Sequence, residues 1–379
     1  MKQVIGIVGG GQLGRMLVEA AHELGFQVAV LDPTPESPAG QIADKQIIGD
    51  FKNPQKIEEL AAQSDYITFE IELADSATLN KLVAQGAQIN PSPWTLSLIK
   101  NKFEQKKFLA AAGIPVAEFM EVNFPEDAAE AGRRFGYPFL LKAKFDAYDG
   151  RGNIRVDKEG DITASFDKLS GRELYAEKFV PFDKELAVVA ARSKTGDIHV
   201  YPVVETVQRN HICREVLAPA PIPVEAHGEA EELARKALEH LEGAGVFGIE
   251  LFWVAEGPVA GKILVNEIAP RVHNSGHFTI EGCITSQFEQ HIRAVSGMHL
   301  GETKMKVPAA VMVNILGDRT GPSAPKGAEE AEKIPGVKVH IYGKHETRPE
   351  RKMGHLTAVS LTLDTARKNA QTALARISI

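Results

Sequence analysis

Two acidic residues in neighbouring apolar segments have the spacing of a metal site. Glu250 lies in one segment and Glu267 in the next, and the turn-like residues 256–261 separate the segments. If the segments form a hairpin centred near 258 and 259, the two carboxylates face each other. Facing carboxylates repel, and Mg²⁺ would reconcile them because it binds one or two carboxylates together with water and substrate phosphates. Pairing of each glutamate with its own Arg or Lys is the alternative, and the two segments alone favour neither.

The second segment continues into a polar turn. Asn266 lies in its strand-like part, and Arg271, His273 and Asn274 follow the proline at 270. Donors and acceptors are therefore concentrated where a plain core strand would carry none. This concentration indicates a functional site beside the acid pair.

The N-terminal stretch matches a nucleotide-binding pattern. Val4–Val8 is an apolar strand, the sequence G-G-G-Q-L-G follows at 9–14, and a helix runs to about Leu24. A second strand, Gln27–Leu31, ends at Asp32, so the G-x-G-x-x-G pattern is followed by an acid about 20 residues on. Taken alone, the pattern indicates NAD. Any mononucleotide-binding unit, however, uses a tight turn and a helix N-terminus for phosphate.

A third strand, Tyr66–Phe69, is followed directly by Glu70 and Glu72. Ligands of open parallel sheets bind at the carboxyl ends of the strands, so we expect both acids to face the crevice of the glycine loop. A nicotinamide site has little use for two carboxylates, whereas an amine-bearing ligand would use them. Solvated loop acids are the alternative.

The middle of the chain contains a lysine backed by a loop of small residues. Lys142 lies in the apolar strand 139–145, and the loop 147–153 follows. A flexible loop backed by a strand lysine covers the triphosphate in kinases and related folds. An ordinary hairpin turn with Lys142 extending to solvent is the alternative.

A strand at 174–180 stops at Pro181. A strand that ends at a proline leaves backbone groups that could contact the edge of an adenine ring. Glu185, at the start of the next strand, is a candidate acceptor for ribose hydroxyls. Both assignments need support from other parts of the chain.

The C-terminal part carries four cations in nine residues, at Lys344, Arg348, Arg351 and Lys352. A charged run of this kind is usually a solvated turn. A phosphate monoester would also require such a cluster, with arginines as bidentate donors.

Composition bounds the remaining possibilities. With 379 residues the chain is long enough for two or three domains. Its net charge of −7 argues against a bulk electrostatic interaction with nucleic acid. The two cysteines lack metal-type spacing and are predicted to be buried thiols in a reducing compartment. The first residues are too short an apolar run for a signal peptide, and no segment is long enough to span a bilayer, so we expect a cytoplasmic protein.

Taken together, these segments resemble the ATP-grasp superfamily, and within it the ligases that carboxylate 5-aminoimidazole ribonucleotide in purine biosynthesis. The resemblance spans essentially the whole chain. It is carried by G-G-G-Q-L-G-R-M at 9–16, F-E-I-E at 69–72, A-Y-D-G-R-G-N at 147–153, N-E-I-A-P-R-V-H-N-S-G-H-F-T at 266–279 and Y-G-K-H-E-T-R-P-E-R-K-M-G-H at 342–355.

The resemblance implies a mixed α/β and α+β protein of three domains. A Rossmann-like domain with a parallel sheet would span 1–98, and a central ATP-grasp domain 99–298, with a lid at about 115–180. A small β-rich domain would span 299–379. A homodimer is also expected.

The resemblance further implies that ATP lies between two β-rich layers of the central domain. Lys102 and Lys142 would contact its phosphates, and Glu250 and Glu267 would hold Mg²⁺, with Glu267 also in the ATP site. The other implied ATP-binding residues are Ala147, Tyr148, Asp149, Gly150, Arg151, Gly152, Asn153, Glu177, Lys178, Phe179, Val180, Glu185, Gln208 and Asn266.

The implied reaction begins with attack of bicarbonate on the γ-phosphoryl group. Arg271, His273 and Asn274, with Lys142, would be the catalytic residues and would hold the resulting carboxyphosphate. The amine of 5-aminoimidazole ribonucleotide would then be carboxylated. The implied residues for this substrate are Gly11, Gln12, Leu13, Glu70, Tyr148, Arg155, Lys344, Arg348, Arg351 and Lys352.

Two departures from the family pattern bear on the site. Gln208 stands where many members have a histidine, and Leu73-Ala74 follows the acid pair where Asn-Val is frequent. The alternatives are another ATP-grasp ligase, such as formate-dependent glycinamide ribonucleotide transformylase, an NAD-dependent oxidoreductase built on the glycine pattern, and a catalytically silent binding protein of this fold.

Overall fold

The structure is a computed structural model that describes residues 2–146, 152–255 and 261–379. Within these ranges, no helix combines the length and apolar character needed to cross a bilayer. The predicted lid residues Ala147 to Arg151 lie outside the described residues.

The N-terminal part forms a parallel sheet in the order β3-β2-β1-β4. Its strands are largely buried because helices cover both faces, as is usual for parallel sheets. The elements are β1 (Val4–Val8), α1 (Gln12–Glu23), β2 (Gln27–Asp32), β3 (Lys45–Ile48), α2 (Pro54–Ala61), β4 (Tyr66–Phe69), α3 (Ser76–Ala84), α4 (Pro93–Lys100) and α5 (Lys102–Ala111).

A small antiparallel sheet follows, in the order β5-β8-β6-β7. Its own apolar cluster, which includes Phe135, Phe139 and Leu174, packs its helices against one face. The elements are β5 (Phe119–Val122), α6 (Pro125–Phe135), β6 (Phe139–Ala143), β7 (Asn153–Val156), α7 (Ile162–Lys168) and β8 (Leu174–Lys178).

The largest sheet is antiparallel and has the order β14-β13-β9-β11-β12-β15-β19-β17, with β10 paired to β9. Its C-terminal strands therefore extend the central sheet. Two further strands, β16 and β18, pair separately. The elements are β9 (Lys184–Arg192), β10 (Ile198–Val200), β11 (Val204–Arg209), β12 (Ile212–Ala218), α8 (Val224–His240), β13 (Gly245–Val254), β14 (Lys262–Ala269), α9 (Thr279–Gly282), α10 (Gln287–Ser296), β15 (Ala309–Leu316), β16 (Gly321–Pro322), α11 (Ala328–Glu332), β17 (Val337–Ile341), β18 (Glu346–Thr347), β19 (Lys352–Ser360) and α12 (Leu363–Leu374).

Two apolar clusters join the parts. One contains residues of α1, β1, β9 and α10, and so connects the N-terminal sheet to one face of the large sheet. The other packs α8 and α5 against the opposite face of β9, β13 and β14. The acid pair thus lies on strands, β13 and β14, that α5 and α8 support from one face.

Candidate active site

The predicted pairing of Glu250 with Glu267 is confirmed, and a β-bulge produces it. The hairpin ladder runs from Val254 opposite Lys262 to Leu251 opposite Val265. The register then shifts by one residue, which brings Glu250 opposite Glu267 and leaves Asn266 as the extra residue of the bulge. The Asn266 amide donates to Glu250 Oε2 at 3.3 Å. Both acids and this amide therefore share one site.

The two acids differ in their electrostatic surroundings. Lys102 Nζ lies 3.0 Å from Glu267 Oε2, and although burial opposes ionisation, this lysine holds the pKa of Glu267 below its usual range. Burial and the charge of Glu267 raise the pKa of Glu250 to about 7. His273 Nε2 lies 3.5 Å from Glu250 Oε1, but burial lowers the pKa of His273 to about 3, so its imidazole is neutral. The alternative of a separate cation for each acid is thus met at Glu267. The polar contacts of Glu250 given above, Asn266 and His273, are neutral, and the facing Glu267 is anionic.

This donor set fits a hard divalent cation. In the described part of the chain, no group of three or more His, Cys, Asp or Glu side chains is arranged to hold a metal by itself. Mg²⁺ does not need such a group, because it is held through one or two carboxylates and completes its octahedron with water and substrate phosphates. When Glu250 is ionised, the acid pair carries one negative charge more than Lys102 offsets, and such an ion would balance that charge.

A buried ion triad lies beside the acid pair and was not predicted. Glu177 is 2% exposed and accepts from Lys142 Nζ at 3.1 Å, while Lys106 Nζ lies 2.7 Å from its other oxygen. Burial opposes ionisation of Glu177, but the two lysines lower its pKa to about 2. Asn101 caps α5 and so fixes the positions of Lys102 and Lys106, which lie one turn apart. That one-turn spacing is the sequence signal for Lys106.

The predicted place of Glu177 at the adenine stays a prediction. In the structure its carboxylate lies between two lysines in the interior. Lys178 Nζ is likewise paired, at 2.6 Å from Glu118 Oε1. The backbone before Pro181 also stays a candidate for the adenine contact, and Val180 there is buried against Ala117 and Val254.

Glu185 and Gln208 meet on adjacent strands. Burial raises the pKa of Glu185, and a hydrogen bond with the Gln208 side chain counteracts the rise. The residue that departs from the family pattern is therefore next to the predicted ribose acceptor. Arg155, predicted to bind substrate, lies 2.7 Å from Asp157 Oδ1 and over the ring of Phe179.

The polar turn after β14 is held in place by neighbouring side chains. Arg271 Nε lies 2.9 Å from Glu72 Oε1. The buried Gln287 accepts from the backbone N–H of His273 at 2.9 Å and donates to its carbonyl at 2.7 Å. Gln287 is the first residue of α10 and was not predicted as a site residue, because its contact is to backbone and has no pattern in the sequence.

The glycine loop already holds two protein carboxylates. Glu70 accepts from the N–H groups of Gly11 at 2.7 Å and Gly14 at 3.1 Å, and Asp32 accepts from Gly10 at 2.8 Å. A pyrophosphate would need these same donors. The NAD interpretation is therefore disfavoured. The predicted substrate contact of Gly11 also cannot use its N–H in this arrangement.

Two of the C-terminal cations, Lys344 and Lys352, lie close enough to Glu70 and to the polar turn to affect their charges. Lys344 Nζ donates to the carbonyl of Lys352 at 2.7 Å. Burial and then the charge of Arg351 lower the pKa of Lys344 to about 7, while Glu70 acts in the opposite direction. The charge of Lys352 is among those that lower the pKa of His273. The structure thus brings residues from all three parts of the chain to one site.

Comparisons with known proteins agree with this arrangement. A ribonucleotide synthetase preATP-grasp domain matches residues 1–100, an ATP-grasp domain 107–288, and a phosphoribosylaminoimidazole carboxylase C-terminal domain 310–369. The crystal structure of N5-carboxyaminoimidazole ribonucleotide synthetase from Thermotoga maritima is 46% identical, covers 99% of each chain and superposes with a TM-score of 0.89. The chain belongs to the N5-carboxyaminoimidazole ribonucleotide synthetase family. The predicted ATP-grasp fold, with its N-terminal parallel sheet, is confirmed.

Two other proteins are also similar to this chain. The Aspergillus clavatus enzyme, solved with ADP and 5-aminoimidazole ribonucleotide, is 41% identical with a TM-score of 0.90 and covers 99% of this chain and 98% of its own. Phosphoribosylaminoimidazole carboxylase of Schizosaccharomyces pombe is 44% identical over 365 residues, which are 95% of this chain and 65% of that protein. The chain thus spans about two thirds of the length of this longer relative.

Proposed function

We propose that this chain catalyses ATP-dependent carboxylation of 5-aminoimidazole ribonucleotide with bicarbonate, through carboxyphosphate. The products are N5-carboxyaminoimidazole ribonucleotide, ADP and phosphate. The observation that carries the proposal is the Glu250–Glu267 pair, which has Lys102 on one side and His273 on the other. Residues assigned to ATP and residues assigned to bicarbonate therefore lie next to each other at this pair. The family relative with bound ADP and 5-aminoimidazole ribonucleotide supports the same choice of substrates.

The lysines provide the site for the triphosphate. Lys102 and Lys142 are held by Glu267 and Glu177, within 3.0 and 3.1 Å. When ATP binds, its phosphate oxygens would replace these carboxylates as the partners of the two lysines. The backbone at Lys178 to Val180 would contact adenine, and Glu185 with Gln208 would contact ribose. The predicted lid, 147–153, would close over the phosphates.

Glu250, Glu267 and Asn266 would hold Mg²⁺. When bound, the ion neutralises charge on the transferring phosphoryl oxygens. Burial and then repulsion by Glu267 raise the pKa of Glu250 to about 7. Because the metal would bind the ionised form, metal affinity should increase with pH through about 7.

Arg271, His273 and Asn274 would hold bicarbonate. One bicarbonate oxygen attacks the γ-phosphorus, the bond to the β-phosphate oxygen breaks, and ADP leaves with carboxyphosphate formed. The amine of 5-aminoimidazole ribonucleotide then attacks the carboxyl carbon, phosphate leaves, and the amine loses a proton. Arg271 supplies a permanent charge for the developing anions, since guanidinium stays protonated.

5-Aminoimidazole ribonucleotide would lie between the N-terminal glycine loop and the C-terminal cations. Glu70, Gly11 to Leu13 and Tyr148 would surround the aminoimidazole, and Arg155 would approach from the small sheet. Lys344, Arg348, Arg351 and Lys352 would bind the 5′-phosphate. The influence of Glu70 on Lys344 supports a shared site for ring and phosphate.

The test is ADP release by the full chain with ATP, Mg²⁺, bicarbonate and 5-aminoimidazole ribonucleotide, omitting each in turn. We expect release only when both bicarbonate and the ribonucleotide are present. Release with glycinamide ribonucleotide and formate instead would indicate the transformylase. Saturable binding of NADH in a fluorescence titration would support the oxidoreductase alternative. The expected homodimer and cytoplasmic location remain predictions.

A further inference from the structure

A buried amide from the C-terminal part of the chain contacts the proposed bicarbonate site. Asn314, on β15, is 3% exposed. Its Nδ2 donates to Asn274 Oδ1 at 2.8 Å, and Asn274 Nδ2 donates back to Asn314 Oδ1 at 3.0 Å. The two side chains therefore form a reciprocal amide pair.

A third hydrogen bond sets the orientation of this pair. Asn314 Nδ2 also donates to the carbonyl of Cys213 on β12, at 3.0 Å. A carbonyl can only accept, so the nitrogen of Asn314 must face it, and the oxygen of Asn314 is left to accept from Asn274. The orientation of the Asn274 amide thus follows from that of Asn314. One N–H of Asn274 remains for a ligand.

We propose that Asn314 is a positioning residue that orients Asn274 toward bicarbonate and carboxyphosphate. The proposal rests on the function proposed above. Without Asn314, the Asn274 amide can rotate and present its oxygen to an anion, which repels it. The large sheet makes this contact possible, because β12 and β15 are adjacent and carry Cys213 and Asn314 to the back of the polar turn.

The experiment is steady-state kinetics of Asn314→Ala and of the isosteric Asn314→Asp. The aspartate can accept from Asn274 but cannot donate to Cys213 or to Asn274 Oδ1. In both variants we expect KM for bicarbonate to rise about tenfold, which corresponds to one lost hydrogen bond to a charged ligand. KM for ATP should stay within about twofold, because no nucleotide contact changes.

A double-mutant cycle separates positioning from a structural role. If Asn314 acts through Asn274, the Asn274→Ala/Asn314→Ala double variant should have the same KM for bicarbonate as the Asn274→Ala single variant. Val313→Ala is the matched control: it removes buried volume from the same strand, so it should lower the melting temperature without changing KM for bicarbonate.

Three outcomes would overturn the inference. An unchanged KM for bicarbonate in both Asn314 variants excludes a positioning role. The same conclusion follows if the rise in KM of the double variant equals the product of the rises in the two single variants. A similar rise in Val313→Ala would show that the effect is general destabilisation. Failure of the wild type to release ADP with bicarbonate and the ribonucleotide overturns the proposed function, whereas an active wild type with unaffected variants overturns only the role of Asn314.

Discussion

Replacing Glu250 by Gln should stabilise the metal-free protein at pH 8. Burial and the facing Glu267 raise the pKa of Glu250 from 4.5 to about 7. A carboxyl with a raised pKa favours the folded state below its unfolded pKa, and this contribution is lost as pH rises through the folded pKa. Above about pH 7 the ionised acid therefore destabilises the fold. The neutral amide removes this cost and keeps the shape of the side chain.

The size of the effect follows from the shift. A rise from 4.5 to about 7 corresponds to about 3 kcal/mol for a fully buried group. The side chain is 33% exposed, and solvent screening reduces the expected gain to about 1–2 kcal/mol. With an unfolding entropy of about 2.1 cal/mol/K per residue, such a gain raises the melting temperature of this 379-residue chain by about 1–3 °C. Near pH 5 the folded wild-type acid is already protonated, so most of the gain should be lost, and the rest disappears below the unfolded pKa of 4.5.

Thermal melting of both proteins in EDTA at pH 5 and pH 8 measures this difference. Glu72→Gln is a control of opposite sign: although burial opposes its ionisation, Arg271 lowers the pKa of Glu72, so its removal should lower the melting temperature at pH 8. Added Mg²⁺ with nucleotide should stabilise the wild type more than Glu250→Gln. A lower melting temperature of Glu250→Gln at pH 8, or an equal gain at pH 5, would refute the reasoning.

Two further predictions concern the lysine triad and the C-terminal cluster. Lys106→Met should raise KM for ATP about tenfold and lower the melting temperature, because Lys142 is then the one remaining lysine partner of Glu177 and is less available to the phosphates. An unchanged KM for ATP in initial-rate assays would show that Lys106 is only structural. Arg348→Ala should raise KM for 5-aminoimidazole ribonucleotide about tenfold and leave KM for ATP unchanged, with Arg319→Ala as the control; equal constants for wild type and Arg348→Ala would show that the cluster is merely solvated.

The acid pair could be predicted from the sequence, but its geometry depends on a feature that the sequence does not show. The ladder from Val254 and Lys262 would by itself place Glu250 opposite Asn266. The bulge shifts the register by one residue, and the apolar pattern does not reveal it because apolar residues occupy successive positions in both strands. The predicted hairpin, centred between 258 and 259, pairs Glu250 with Glu267 without a bulge. The prediction therefore gave the correct pair from a register that differs from the observed one.

Other parts of the site could not be predicted from the sequence because they depend on contacts between residues that are distant along the chain. The glycine pattern predicts a phosphate site from spacing, yet Glu70 and Asp32 occupy its donors. Lys106 meets Glu177 only in the folded protein. The C-terminal strands join the large sheet through long-range pairing with β12. Local pattern thus predicts elements and exposed clusters, whereas buried polar pairs follow from packing.

The central claim is that Glu250 and Glu267 hold a divalent ion together with the nucleotide. Electron paramagnetic resonance of Mn²⁺, titrated into the full chain with ADP, measures this binding directly. We predict one tight Mn²⁺ site in the wild type, and an affinity at least about tenfold weaker in Glu250→Gln/Glu267→Gln, with circular dichroism showing that the fold is kept. Equal Mn²⁺ affinity in a folded double variant would contradict the assignment of these two acids to the metal.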